Sequence, residues 1–242
     1  MITGIVVALP EEISTLTTKR IAKGNCLFIA DKILVAYSGA GSKNAQTAAE
    51  LLVSKGVTRL ISWGCAAALS SLVKPGDLTL AATLIDAEYT RIDINSPWHR
   101  STKNLLSQSI VVHTGQLAES KSLISSSKDK KQLQSKTGAI ALDMESIAIA
   151  KVAKQHKLAF LAIRAIADPV TMDLPEAVNH SLNDQGDILL GKLLFFIVRH
   201  PAQLPGLIKL ALHFHAARKT LKQVAEDIDN VICFSHFTPT AI

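Results

Sequence analysis

A short apolar run that stops at small or acidic residues recurs along this chain, and that recurrence limits the folds open to it. Ile2–Leu9 is ended by Pro10 and followed by Glu11 and Glu12. Cys26–Ala30 and Ile33–Tyr37 flank an Asp31-Lys32 turn, after which the glycine-rich SGAGSKNAQ begins. Arg59–Trp63 leads into GCAAAL, Ala139–Leu142 into DMES, and Ala159–Ala167 into Asp168-Pro169. Such runs read as buried strands. Further strands are expected at Asp77–Ile85 and Ile110–His113. Between them, 44–55 and 147–156 have helical character, the first ending at Gly56 with Ser42 as a candidate N-cap. Strands alternating with helices predict an α/β domain, three-layered, with a mixed and largely buried sheet flanked by helices. Residues 86–104 and 170–183 read as polar loops, and 120–135 as surface loop and helix. One domain is expected over 1–230, with a tail at 231–242.

The chain has 242 residues, 48% of them hydrophobic and 19% charged, enough apolar side chain for a substantial core and too much for a disordered protein. Three scattered cysteines, Cys26, Cys65 and Cys233, form no disulfide framework and no zinc motif, which fits a reducing compartment. His213 and His215 are two positions apart and point to different helix faces, so no metal is predicted. MITGIVVALPEE has no basic segment before its apolar run, so no signal peptide is expected. A cytoplasmic location follows, with peripheral contact at the inner face of the membrane as a further option.

The formal charge is +6. From Ile188 to Ala225 there is no acid, but there are Lys192, Arg199, Lys209, Arg218, Lys219, Lys222 and three histidines among many Leu, Ile and Phe. A basic amphipathic segment of this kind can lie on an anionic membrane. It can equally cover the sheet or a subunit interface. Aromatics are only 5% and no nucleic-acid reader motif is present, so no nucleic-acid partner is expected.

In open α/β sheets, sites form beyond the carboxyl ends of strands. Glu11, Glu12, Asp143, Glu145 and Asp168 all stand at such ends. Each alone has an ordinary explanation as a first-turn acid, a helix cap or a turn residue. Together, converging carboxylates can divide acid, base and substrate-orienting roles.

The segments GIVVALPEE, SGAGSKNAQTAAELL, ISWGCAAALSSLVKPGDL, TGAIALDMESIAIAKVA and FLAIRAIADPV, spanning residues 4 to 170, resemble the nucleoside phosphorylase and nucleosidase superfamily, in the branch of 5′-methylthioadenosine/S-adenosylhomocysteine nucleosidases. The resemblance implies roles. Glu145 with Met144 matches the ribose-binding pair, Asp168 the general acid at purine N7, and Glu12 the base that activates water, leaving Asp143 structural. Gly39, Cys65, Ala66, Leu123 and Ile124 would line the substrate pocket. No cofactor is implied, and phosphate enters only as a possible co-substrate.

Phosphorylases of the superfamily hold phosphate with arginines. Here one such place reads Ala8-Leu9-Pro10-Glu11-Glu12 and the other has Ser62, which favours water as the nucleophile. Arg20, Arg91, Arg100 or an arginine from a neighbouring subunit are the alternatives for binding phosphate. The chain also departs from the thio-nucleoside enzymes: Cys65-Ala66-Ala67-Ala68 replaces GSAGG, Ala167 replaces a serine, and no aromatic stands near Leu123. DMES, the ADP turn followed by LPEA, and the tail HPAQLPGLIKLALHFHAARKTL are instead similar to the hopanoid-associated phosphorylases, or adenosylhopane nucleosidases. That likeness implies a lipid-linked adenosine derivative as substrate, membrane contact through 188–225, and a homodimer or larger homo-oligomer.

Overall fold

Val6 packs into one hydrophobic core while Ile5 and Val7 pack into another, so the period-two alternation of a single strand separates the two faces of the sheet. The computed structural model describes residues 1–181 and 190–233. Strand β1 (Thr3–Val7) is followed by the single turn α1 (Pro10–Ile13), the hairpin strands β2 (Cys26–Ala30) and β3 (Ile33–Tyr37), helix α2 (Ser42–Ser54) and the long β4 (Arg59–Ala68). Short strands β5 (Leu78–Leu80), β6 (Thr83–Ile85) and β7 (Arg91–Asp93) precede α3 (Pro97–Leu106). Then come β8 (Val112–His113), β9 (Gln116–Glu119), α4 (Ser127–Thr137), β10 (Ala141–Asp143), α5 (Ser146–Gln155) and β11 (Ala159–Asp168). Helices α6 (Glu176–Ser181), α7 (Leu190–Arg199), α8 (Leu204–Glu226) and α9 (Ile228–Ile232) follow, with a 3₁₀ turn at Pro201–Gln203 before α8.

The sheet runs β2-β3-β1-β4-β10-β9-β6-β7, with β11 paired to both β4 and β5 and β8 on the outer side of β5. It is mixed: β4 is parallel to β1 and β11 but antiparallel to β10. The expected three-layer architecture is present. Helices α2 and α5 pack on the Val6 face, with Ala45, Ala49, Leu52, Ile149 and Val152 in the core. Trp98 of α3, Ala217, Leu221 and Val224 of α8, and Val231 of α9 pack on the Ile5 face. Each buried Leu, Ile or Val of these helices contributes about 1.5–3 kcal/mol through burial, and each Ala less.

The topology of β4 positions the site. Its partner β1 ends at Val7, opposite Trp63, and β10 joins the same edge only at Ala67 and Ala68. On that edge Gly64, Cys65 and Ala66 have no strand neighbour among the described residues, since β1 has ended and β10 has not yet joined, while β11 lines the opposite edge. A gap therefore opens at the carboxyl end of β1, as expected for sheets of this kind.

Several local expectations need correction. The 86–104 stretch contains β7 and α3, the latter started by Ser96, whose hydroxyl accepts the His99 N–H, and by Pro97 in the first turn. Buried Trp98 holds this helix, its Nε1–H donating to Val231 O at 2.7 Å. The strand expected at 77–85 is broken into β5 and β6, which pair with different partners. Strand β4 continues five residues beyond Trp63. Ser42 lies inside α2 and does not cap it; the N-cap is Gly41. The 170–183 loop contains α6. Packing also extends past residue 230, since Val231 and Ile232 are buried.

Candidate active site

Glu12 lies in α1, directly after the gap-forming end of β1, and is buried. Its Oε1 accepts the Cys65 backbone N–H at 2.7 Å, and its Oε2 accepts those of Leu9 and Ala8 at 3.0 and 3.3 Å. Burial raises its pKa to about 7, although Arg164 and the backbone donors oppose that rise. A carboxylate poised there can exchange a proton near neutral pH. Gly64 is required by this geometry: a Cβ on it would stand 2.4 Å from Glu12 Oε1 and 2.6 Å from Arg164 Nη1.

Arg164, which sequence analysis did not single out, organises the site. It projects from β11 and its side chain is only 2% exposed. Nη2 pairs with Asp143 Oδ2 at 2.7 Å, donates to Ser62 Oγ at 2.6 Å, and stands 3.7 Å from Glu145 Oε2. Burial would lower its pKa, yet the surrounding Asp143, Glu145 and Glu12 carry it above the ordinary arginine value. Ser62 of β4 thus receives a guanidinium from the adjacent strand β11. Arg20, Arg91 and Arg100 are exposed.

Asp143 closes β10, accepting the Ser146 backbone N–H at 3.2 Å and its hydroxyl at 2.5 Å. The expected cap falls elsewhere: the N-cap of α5 is Glu145, and Asp143, two residues earlier, bonds the first helical residue, Ser146, because the chain turns between β10 and the helix. Glu145, the N-cap residue of α5, accepts the Gly41 N–H at 2.9 Å. Burial raises its pKa, with Asp143 adding to the rise and Arg164 opposing it. Met144, beside it, is half-buried.

Asp168 ends β11 opposite Ala67 of β4, and Ala67 in turn faces Leu142 of β10. One row across three strands therefore carries Asp168 and leads into Asp143, Met144 and Glu145. Burial raises the Asp168 pKa, and Lys130, whose Nζ stands 2.6 Å from Oδ1, pulls it back. Lys130 too escaped the sequence reading. The available signal was its spacing with Leu133 and Thr137, the inward side of α4.

Cys65 is half-buried beside Glu12, and burial followed by that carboxylate pushes its thiol well above its usual pKa. It lines the gap as a neutral thiol. Ala66 is buried. Gly39 follows β3 with φ 79°, and Lys23 lies over it so closely that a Cβ would meet the lysine side chain. Ile124 packs beside Leu69, Ala118 and Leu142, whereas Leu123 is exposed. Among the described residues, no group of His, Cys, Asp or Glu is arranged to hold a metal ion. None of the described helices is long and apolar enough to cross a membrane.

A mixed sheet between helical layers, with carboxylates gathered where β1, β10 and β11 end, defines an α/β protein of the nucleoside phosphorylase-like fold. The chain belongs to the Phosphorylase superfamily, whose family model matches residues 3–194. It is 26% identical over 194 residues to the 5′-methylthioadenosine/S-adenosylhomocysteine nucleosidase of Staphylococcus epidermidis, covering 68% of this chain and 85% of that protein. Among solved structures, futalosine hydrolase of Helicobacter pylori superposes with a TM-score of 0.70 at 18% identity, covering 94% of this chain and 97% of that one. The Neisseria meningitidis 5′-methylthioadenosine/S-adenosylhomocysteine nucleosidase with methylthio-immucillin-A gives 0.69 at 17% identity, covering 94% and 98%.

Proposed function

We propose that this protein cleaves the N-glycosidic bond of a 5′-substituted adenosine, releases adenine, and uses water as the nucleophile. The observation that carries the reading is Glu12, a buried carboxylate held by three backbone N–H groups with its pKa near 7, facing the gap beside Glu145. In this reading Glu12 takes a proton from water and Asp168 gives one to the departing purine. Glu145 accepts the ribose hydroxyls, with Met144 against the sugar, and its charge favours the cationic sugar of the transition state.

Water is favoured over phosphate on electrostatic grounds. Glu12, Asp143 and Glu145 surround one guanidinium, and Arg164 is already engaged by Asp143 and Ser62. An arriving phosphate would meet more negative charge than positive.

The substrate proposed is adenosylhopane, in line with the hopanoid-associated resemblance, and the enzyme works as a homo-oligomer in contact with a membrane surface. Helix α8 supports a lipid-facing role. Leu204, Ile208 and Leu212, at four-residue spacing, are 45%, 53% and 64% exposed. Gly206 packs on Pro175, so this stripe begins beside the loop that follows Asp168.

The test is adenine release from adenosylhopane in liposomes, run beside 5′-methylthioadenosine and S-adenosylhomocysteine, each with and without phosphate. Release from the lipid alone, independent of phosphate, is expected. Release from the soluble thio-nucleosides alone would instead make this an enzyme like its staphylococcal relative, and a phosphate requirement would overturn the hydrolytic assignment.

A further inference from the structure

Helix α4 carries Lys128, Lys130, Lys131 and Lys136, and among these Lys130 alone is buried, with no exposed surface at all. An ammonium group is almost never enclosed unless each of its donors is used. Here Nζ donates to Asp168 Oδ1 at 2.6 Å, to Met172 O at 2.8 Å and to Pro169 O at 3.2 Å. All three protons are spent on Asp168 and the loop that follows it. The Asp168 side chain is 12% exposed and accepts hydrogen bonds on Oδ1 alone among the described residues, which leaves Oδ2 available to a ligand.

We infer that Lys130 is the positioning residue of the acid: it holds Oδ1, aims Oδ2 at the leaving base, and balances the negative charge that proton donation leaves on Asp168. The inference rests on the assignment of Asp168 as the acid. In the step, the Asp168 Oδ2–H bond breaks, a purine N–H bond forms, and the glycosidic electron pair moves onto the base. The resulting carboxylate lies against an ammonium already in place, so no solvent need reorganise. Among the described residues, the charged neighbours of Asp168 are Lys130 from α4 and Asp173 from the following loop; Asp173 itself lies near Lys131 and accepts the Ser127 N–H. Lys130 is thus the fixed countercharge, and Asp173 acts in the opposite sense.

The decisive variant is Lys130→Met, which keeps the chain length and removes the charge. With adenosylhopane in detergent, kcat should fall by roughly 100-fold, the scale of general-acid assistance, with little change in KM. The alkaline limb of the rate profile, where Asp168 loses its proton, should move up by about one pH unit or more. In the Asp168→Asn background the same substitution should have little further effect, since Lys130 acts through Asp168. A limb that stays in place, or full additivity with Asp168→Asn, would overturn the inference. Wild-type protein provides a check that needs no folded variant: the Lys130 15Nζ resonance should shift as the Asp168 13Cγ signal titrates. Independent titrations would sink the pairing. Inactivity of the wild-type protein on all three nucleosides would instead defeat the functional reading.

Discussion

Glu12 and Cys65, 53 positions apart in the chain, are joined by a 2.7 Å hydrogen bond from the Cys65 backbone N–H to the Glu12 carboxylate. The bond exists because β4 outruns β1 and leaves its edge open at Cys65. It places an acid with a pKa of about 7 at the sheet's carboxyl edge.

That placement sets a pH dependence. As the base, Glu12 must be ionised, so kcat/KM should decline as the pH falls through about 7. Glu12→Gln should lower turnover at least about 100-fold while binding of a non-hydrolysable adenosine analogue, followed by calorimetry, stays intact. An unchanged acid limb in the variant would remove Glu12 from this role.

Arg164 should be a large contributor to stability at neutral pH. Arg164→Met leaves Asp143 and Glu145 buried without their countercharge, at a cost of about 3–5 kcal/mol. The deficit should shrink in acid, because protonating these carboxylates removes the buried charge. It should also shrink with Asp143→Asn. Urea denaturation of Arg164→Met at two pH values, and of Asp143→Asn with and without Arg164→Met, measures both effects, and a loss below about 1 kcal/mol for Arg164→Met at neutral pH would contradict the arrangement.

The exposed face of α8 yields a separate test. Ile208→Glu with Leu212→Glu replaces solvent-facing side chains, so stability should change by no more than about 0.5 kcal/mol per site. Co-sedimentation with anionic phosphatidylglycerol vesicles should be lost. Binding equal to that of the unaltered protein would leave α8 without a lipid-facing role.

The C-terminal segment shows how composition can hold two readings at once. Its basic, acid-free character admitted either packing or a lipid surface, and α8 divides between an exposed front and a packed rear. Ala217, Leu221 and Val224 are fully buried against the sheet, while Leu204, Ile208 and Leu212 face outward. No window of sequence distinguishes these halves, because both repeat apolar residues at helical spacing. Similarly, α3 was hidden in 86–104 because its stability depends on Trp98 reaching Val231, 133 residues away.

Sequence alone determined the alternation of strands and helices, the two-sided burial of β1, and the acids that end β1, β10 and β11. These are written in periods of two and 3.6 residues and in turn residues, all visible within a short window. Only the tertiary structure decided which charges meet. Arg164 joins Asp143 because β11 and β10 flank β4 on opposite edges, and Lys130 meets Asp168 because α4 turns one of its lysines inward. Pairings of that kind depend on sheet order and helix rotation, which local propensity does not encode, and on burial, which makes an unpaired charge too costly to keep.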